Sequence, residues 1–262
     1  MDKQTQIAKV AESGEDRLLF ARIYDRLTGA ERKNIPGVTC FLSPREQEMA
    51  RDLFGEQPGL VRFGGYGDAE RKMICYLPDY LDVDNLYDAG SPVVCLHAEY
   101  YEGDTLSHRD FLGALMGAGI ARDTVGDICT GKGCCDFFVS AEIAPYILQN
   151  FSSAGRTRLH LTQVPLNQAA VQEPEVKELR DTLASLRLDS VISAGFRIGR
   201  SQAAQFISAG KAAIDGLPCE KPDKTVTEGA KISVRGLGKI KLQTVGGQTK
   251  KGRISVIIHR YM

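Results

Sequence analysis

Four places in this 262-residue chain combine residue types and spacings that chemistry could use. Gly126-Asp-Ile-Cys-Thr-Gly-Lys132 follows most of the G-x-x-x-x-G-K loop, in which backbone N–H groups cradle phosphates and the Lys reaches them. Gly133 stands where Ser or Thr would hold magnesium, and a strand rather than a helix follows, so the spacing predicts a tight hairpin turn. His108-Arg-Asp110 has the letters of a kinase catalytic loop, but Leu115 replaces its Asn and no Asp-Phe-Gly follows. Cys129, Cys134 and Cys135 crowd together without any C-x-x-C pair, and adjacent strand residues point to opposite faces, which suits chelation poorly. Buried apolar thiols are the expected state, with no metal and no cofactor. Arg187-Leu-Asp189 superficially matches the catalytic aspartate motif of pseudouridine synthases, but it opens a helix, where Asp189 is placed for local hydrogen bonds. No turnover chemistry is expected of these groups, and the chain reads as a non-enzyme.

The cations are more informative. Net charge is zero, yet residues 183–262 carry 14 Lys plus Arg against 5 Asp plus Glu, leaving 19 basic against 28 acidic groups in residues 1–182. An acidic front joined to a basic back points to a polyanionic partner for the back half. Arg197 and Arg200 flank the start of a helix, whose free N–H groups and dipole already favour an anion. Ser201 and Gln202 in its first turn can donate to phosphate or sugar oxygens. Lys211 follows its end, Arg235 and Lys239 sit in a Gly-rich bend, and Lys250, Lys251 and Arg253 occupy a hairpin tip. A single surface Lys or Arg is ordinarily just solvated; an excess of nine in eighty residues is not.

These cations need a frame. Leu188, Val191 and Ile192 mark one short helix ending near Gly195, and Ala203, Phe206 and Ile207 mark a second ending at Gly210. Strands are predicted at 212–215 and 231–234, then a hairpin of 239–245 with 253–259. Ahead of them, strand 92–99, helix 107–118, strands 125–130 and 134–139, helix 141–151 and strand 158–164 spell βαββαβ, the ferredoxin-like order shared by RNA-recognition modules. Its aromatic stacking signature is missing; Phe137 and Phe138 come nearest. In the first third, a helix through Leu18, Leu19, Ile23 and Leu27 is expected to end near Gly29. A strand follows at 38–42, then a helix opened by Ser43-Pro44 and a strand at 60–63. The fold class is therefore α+β in three parts: an N-terminal α/β unit (1–72), a ferredoxin-like, RRM-like RNA-binding domain (73–165) and a basic RNA-binding domain (183–262). Residues 175–182 fit either a helix or an edge strand. No segment has the roughly 18 apolar residues needed to span a bilayer, the start lacks the apolar core of a secretory signal, and seven scattered cysteines fit reduced thiols. A cytoplasmic protein with no membrane partner and no small-molecule substrate is expected.

Arg187-Leu-Asp189, Ile198-Gly-Arg-Ser-Gln-Ala203, Ile207-Ser-Ala-Gly-Lys211 and Ile232-Ser-Val-Arg-Gly236 resemble the RNA-binding domain named after ribosomal protein S4. Over nearly the whole chain, Phe63-Gly-Gly-Tyr66, Ala69-Glu-Arg-Lys72, His108 through Met116, Gly126-Asp-Ile128 and Gly247 through Arg253 resemble the YlmH family of bacterial S4-domain proteins. That resemblance implies association with the large ribosomal subunit, contacts to ribosomal RNA or tRNA, and a role on stalled translation complexes; genetic linkage to cell division also belongs to it. Gly199 replaces the Ser expected before Arg200, Asp215 an Asn, and Leu237 a polar residue. Two other functions fit the sequence: an RNA-modifying enzyme of the pseudouridine-synthase kind with this domain as targeting arm, or a protein–protein adaptor docking through the acidic front.

Overall fold

The computed structural model describes residues 2–88, 90–169, 171, 176–249 and 252–261, and the chain divides into two units, Met1–Gln172 and Glu173–Met262. The first unit begins with helices α1 (Lys3–Val10) and α2 (Gly14–Lys33). A capping box between Ser13 and Asp16 starts α2. The helix runs past Gly29, where the pattern predicts a stop, because Ala30 extends the buried stripe of Phe20, Ile23 and Leu27 by another turn. Asn34 in the left-handed region (φ 50°) closes it. Strand β1 shrinks to Gly37–Val38, since the Thr39 hydroxyl takes the Ile74 N–H and Leu42 makes only an isolated bridge. Helix α3 (Pro44–Phe54) opens with the expected Pro44 and a Ser43–Glu46 capping box. Strands β2 (Leu60–Phe63) and β3 (Met73–Tyr76) complete a three-stranded antiparallel sheet in the order β1-β3-β2.

Strands β4 (Val93–Glu99), β5 (Val125–Thr130) and β6 (Cys134–Ser140), with helices α4 (His108–Gly117) and α5 (Ala144–Asn150), follow as predicted. A small hairpin of β7 (Ser153–Ala154) and β8 (Thr157–Arg158) precedes β9 (His160–Val164). The sheet is antiparallel in the order β5-β6-β4-β9, the ferredoxin-like arrangement. One face packs Leu96, Phe137 and Val139 against Phe111 and Leu115 of α4 and Ile147 of α5. The other packs Val93, Cys95 and Phe138 against Phe41, Phe63, Met73 and Cys75. The small sheet then turns Ile74 toward Phe20, Leu27 and Met49. Layers follow as helices, large sheet, small sheet, helices.

One carboxylate fastens the two sheets. Asp127 on β5 accepts from the Tyr66 hydroxyl (2.8 Å) and from the Glu70 and Arg71 N–H groups (2.6 and 3.0 Å). The Arg71 guanidinium reaches the carbonyls of Val125, Phe41 and Arg122. Burial, with Asp127 alongside, pushes the Tyr66 phenol far above its usual range, so Tyr66 remains a donor. A β-carbon on Gly65 would lie 2.6 Å from the Phe138 ring, and one on Gly126 would lie 2.7 Å from the Phe41 ring.

The second unit is a six-stranded antiparallel sheet, β10-β15-β14-β13-β11-β12, with two helices on one face. Its elements are β10 (Val176–Leu183), α6 (Leu188–Phe196), α7 (Arg200–Ser208), β11 (Ala212–Ile214), β12 (Leu217–Pro218), β13 (Lys231–Val234), β14 (Gly238–Gln248) and β15 (Ile254–Tyr261). Residues 176–183 are thus an edge strand, paired with β15 along their whole length. Leu188, Val191, Ile192, Ala203 and Ile207 pack on Ile232, Ile240, Leu242, Val256 and Ile258. Asp215 and Gly216, both at positive φ (49° and 83°), form the two-residue turn between β11 and β12. The Asp215 carboxylate accepts the Lys231 N–H at 2.8 Å, so this departure from the resemblance serves the turn.

Gly126→Ala has no flexible neighbour to displace, because two aromatic side chains border it. Overpacking of this kind costs about 1–3 kcal/mol, and calorimetry should record a fall in Tm of the order of several degrees; an unchanged Tm would remove the sheet-to-sheet packing argument.

Candidate nucleic-acid interface

Asp189 is only 6% exposed, in the first turn of α6. The Arg187 Nε and Nη2 lie 3.2 Å from its two oxygens, the Arg200 Nη2 lies 3.0 Å from Oδ2, and the Ser190 hydroxyl donates at 3.2 Å. Burial alone would raise the Asp189 pKa; hydrogen bonds from Arg187 and Arg200 outweigh it and hold the group below its ordinary value. The first residues of α6 are held from outside as well, since the Leu188 and Asp189 N–H groups donate to the Lys224 and Pro222 carbonyls at 2.8 and 3.0 Å. Arg187-Leu-Asp189 is therefore a structural clamp, and it aims Arg200.

Helix α6 ends on Arg197 in the left-handed region (φ 54°), and Ile198 turns into the core. Gly199 caps α7 without a side-chain hydrogen bond, so its first N–H groups, on Arg200, Ser201 and Gln202, lack a side-chain cap. Arg197, Arg200, Ser201 and Gln202 are all exposed. This end of α7 is one cationic pole. At the other end, Lys211 Nζ lies over the Phe206 ring at 5.5 Å, and the Lys211 carbonyl accepts the Arg235 N–H at 2.8 Å. The bend carrying Arg235 and Lys239 turns on Gly236 and Gly238 (φ 91° and 109°), with Leu237 packed against the core. Apolar anchoring explains the third departure. The two poles are separated by about 15 Å of helix, which spans more than one phosphate.

Arg253 is placed differently from the other candidates. Its Nε donates to the Thr182 hydroxyl (3.0 Å) and carbonyl (3.2 Å), and its Nη2 contacts the same carbonyl, so it ties β15 to the end of β10. Lys250 and Lys251 lie outside the described residues. Lys231 and Lys241 escape the sequence reading. The alternations Lys231-Ile-Ser-Val and Lys239-Ile-Lys-Leu carry the signal, but pairing decides that these lysines share a face.

The first unit offers less. Phe137 and Phe138 are both fully buried, the first against α4 and α5, the second under Tyr66, so the ferredoxin-like sheet presents neither as a stacking surface. On its strands His97 Nδ1 contacts the buried Asp136 carboxylate, and His97 Nε2 lies 3.8 Å from Glu99. Among the described residues no Ser, Thr or Cys is hydrogen-bonded to His97. The Ser107–Asp110 capping box occupies Asp110. Gly131-Lys-Gly133 is the β5–β6 turn, closed by Gly131 N–H to Cys134 O at 2.8 Å, with Lys132 paired to Glu102. Burial pushes the Cys129 thiol up to about 11 and the Cys135 thiol higher still, so neither supplies a thiolate at neutral pH. Among the described residues no helix is long and apolar enough to cross a membrane.

This is an S4-type domain joined to a ferredoxin-like one. Residues 186–232 match the S4 domain family, and residues 99–168 match the family described as "Putative RNA-binding domain in YlmH". Ribosome-associated protein quality control protein P2 of Bacillus subtilis (strain 168) is 31% identical over 225 residues, covering 85% of this chain and 86% of its own length. Among solved structures, the cell division protein ylmH from Streptococcus pneumoniae aligns with a TM-score of 0.49 at 17% identity, over 61% of this chain and 96% of its own. The chain belongs to the YlmH family.

The Asp189 clamp has a pH signature. Its depressed folded pKa adds stability that is complete above the unfolded value, about 3.9, and is lost as pH falls through the folded value. Asp189→Asn should destabilise the second unit at pH 7 by on the order of 1–2 kcal/mol, allowing for screening of the exposed arginines. The difference from wild type should shrink below about pH 4 in urea titrations. A gap of constant size down to pH 2 would show that the pairing is energetically silent.

Proposed function

We propose that this protein binds structured RNA on the large ribosomal subunit, touching ribosomal RNA, tRNA or both, and acts on stalled translation complexes in the cytoplasm without chemical turnover. RNA contact is assigned to residues 183–262, with Arg197, Arg200, Ser201, Gln202, Lys211, Arg235 and Lys239 as first-line contacts, joined by Lys250, Lys251 and Arg253. The observation that carries the reading is the pair of cationic poles at the two ends of α7, one of them built on uncapped helix N–H groups. Fixed N–H donors and guanidinium forks suit phosphate oxygens. The family membership and the ribosome-associated relative support the same reading. A targeting arm for an RNA-modifying active site finds less support, because Asp110, Asp136 and Asp189 are each engaged in pairing or capping.

Replacing Arg200, Lys211 and Arg235 together with Ala should weaken binding to ribosomal RNA fragments and lower the salt dependence. With about four to six phosphates neutralised, the wild-type slope of log affinity against log salt should be about −3 to −5. Equal slopes in both proteins would overturn the assignment. In sucrose gradients the wild type should travel with the large subunit and the triple variant should stay near the top; a wild type found only near the top would remove the ribosome from the proposal.

A further inference from the structure

The register of the second unit's sheet puts lysines where the α7 site does not reach. Residues directly opposite one another in an antiparallel pair share a face. Lys231 stands opposite Lys241, Lys241 opposite His259, and Ser233 opposite Lys239. Their neighbours Ile232, Ile240, Leu242 and Ile258 point the other way, into the core beneath α6 and α7. Lys231, Lys239, Lys241 and His259 therefore lie together on the face opposite α6 and α7, and among the described residues of this unit no helix packs on that side. Lys231 and Lys241 are half-buried.

Like charges directly opposed across a ladder are unfavourable by some tenths of a kcal/mol, and among the described residues no acid pairs with either lysine. The nearby carboxylates are otherwise engaged. Asp215 and Glu228 accept the backbone N–H groups of Lys231 and Val245, at 2.8 and 2.7 Å. Glu178, on the β10 edge, is 2.8 Å from Arg180 Nε and 3.8 Å from His259 Nε2, two strand spacings (about 10 Å) from the Lys241 backbone. A merely solvated face would intersperse the two signs; this one collects cations at its centre. It also adjoins the proposed α7 site, since the β13–β14 bend that carries Arg235 leads directly into Lys239 and Lys241.

We propose that the RNA-contact surface continues round the β13–β14 bend onto the face of the sheet opposite α6 and α7, where Lys231, Lys239 and Lys241 take phosphates from a second stretch of RNA backbone. The domain then grips RNA along both a helix edge and a sheet face. This rests on the RNA-binding reading above and adds to it a location that the S4 helices do not supply.

The test uses the full-length chain and a labelled RNA stem–loop. Lys231→Gln/Lys241→Gln removes both charges and leaves a shorter polar side chain at each position. Its Tm should equal or exceed that of wild type, while affinity at ~0.1 M salt falls about tenfold or more and the salt slope loses about 2. In the unmodified protein, RNA should protect Lys231 and Lys241 from acetylation, read by mass spectrometry, which needs no variant to fold. Unprotected lysines with an unchanged slope in the double variant, alongside a weakened Arg200/Lys211/Arg235 variant, would overturn the sheet-face site and leave the α7 site standing. Wild-type affinity in both variants would remove the RNA-binding reading itself.

Discussion

A single carboxylate organises the contacts at the heart of each unit, half-buried Asp127 in the first and buried Asp189 in the second, and the proposed RNA-contact surface depends on Asp189. Asp189 cannot stay charged in its pocket without partners, because burying an uncompensated charge costs several kcal/mol. Arg187 and Arg200 supply them. The pairing bridges the starts of α6 and α7, so the same interaction that satisfies a buried charge fixes where the α7 pole points. Arg200 keeps more than half of its side chain exposed, 56%, while its position is set. A cation held in place loses less conformational freedom when a phosphate arrives than one on a free stem.

Asp127 does the corresponding work in the first unit without charge pairing. It collects one hydroxyl and two backbone N–H groups from the 66–71 segment and so lays the small sheet over the large one. The functional consequence is negative. RNA-recognition modules with this topology read bases by stacking them on aromatics of the open sheet face. Here the N-terminal residues take that face, bury Phe138 under Tyr66, and leave a His97–Asp136 pair flanked by Glu99. A sheet so covered does not offer these two phenylalanines for base stacking.

The sequence resolves local features well where local physics decides them. Ser43 and Pro44 announce α3, Gly131-Lys-Gly133 announces a turn, and βαββαβ order follows from alternating periodicities. It misplaces the end of α2, since Gly29 is a weak stop signal when the buried stripe continues to Ala30. It leaves 175–182 open because an edge strand with few buried positions has little periodicity to show; in β10 only Leu179 and Leu183 are buried.

The charge division, the helix and strand types, the family and the cations at the ends of α7 were determined by residue identity and short-range spacing alone. Three matters were left to tertiary structure: that Arg253 ties two strands together, that both phenylalanines of β6 are buried, and that Lys231 and Lys241 face one another beside His259. Each depends on which segment lies beside which. Periodicity tells a strand which side is apolar, but strand order and register come from long-range pairing, and a shift of one residue would send every one of those lysines to the opposite face.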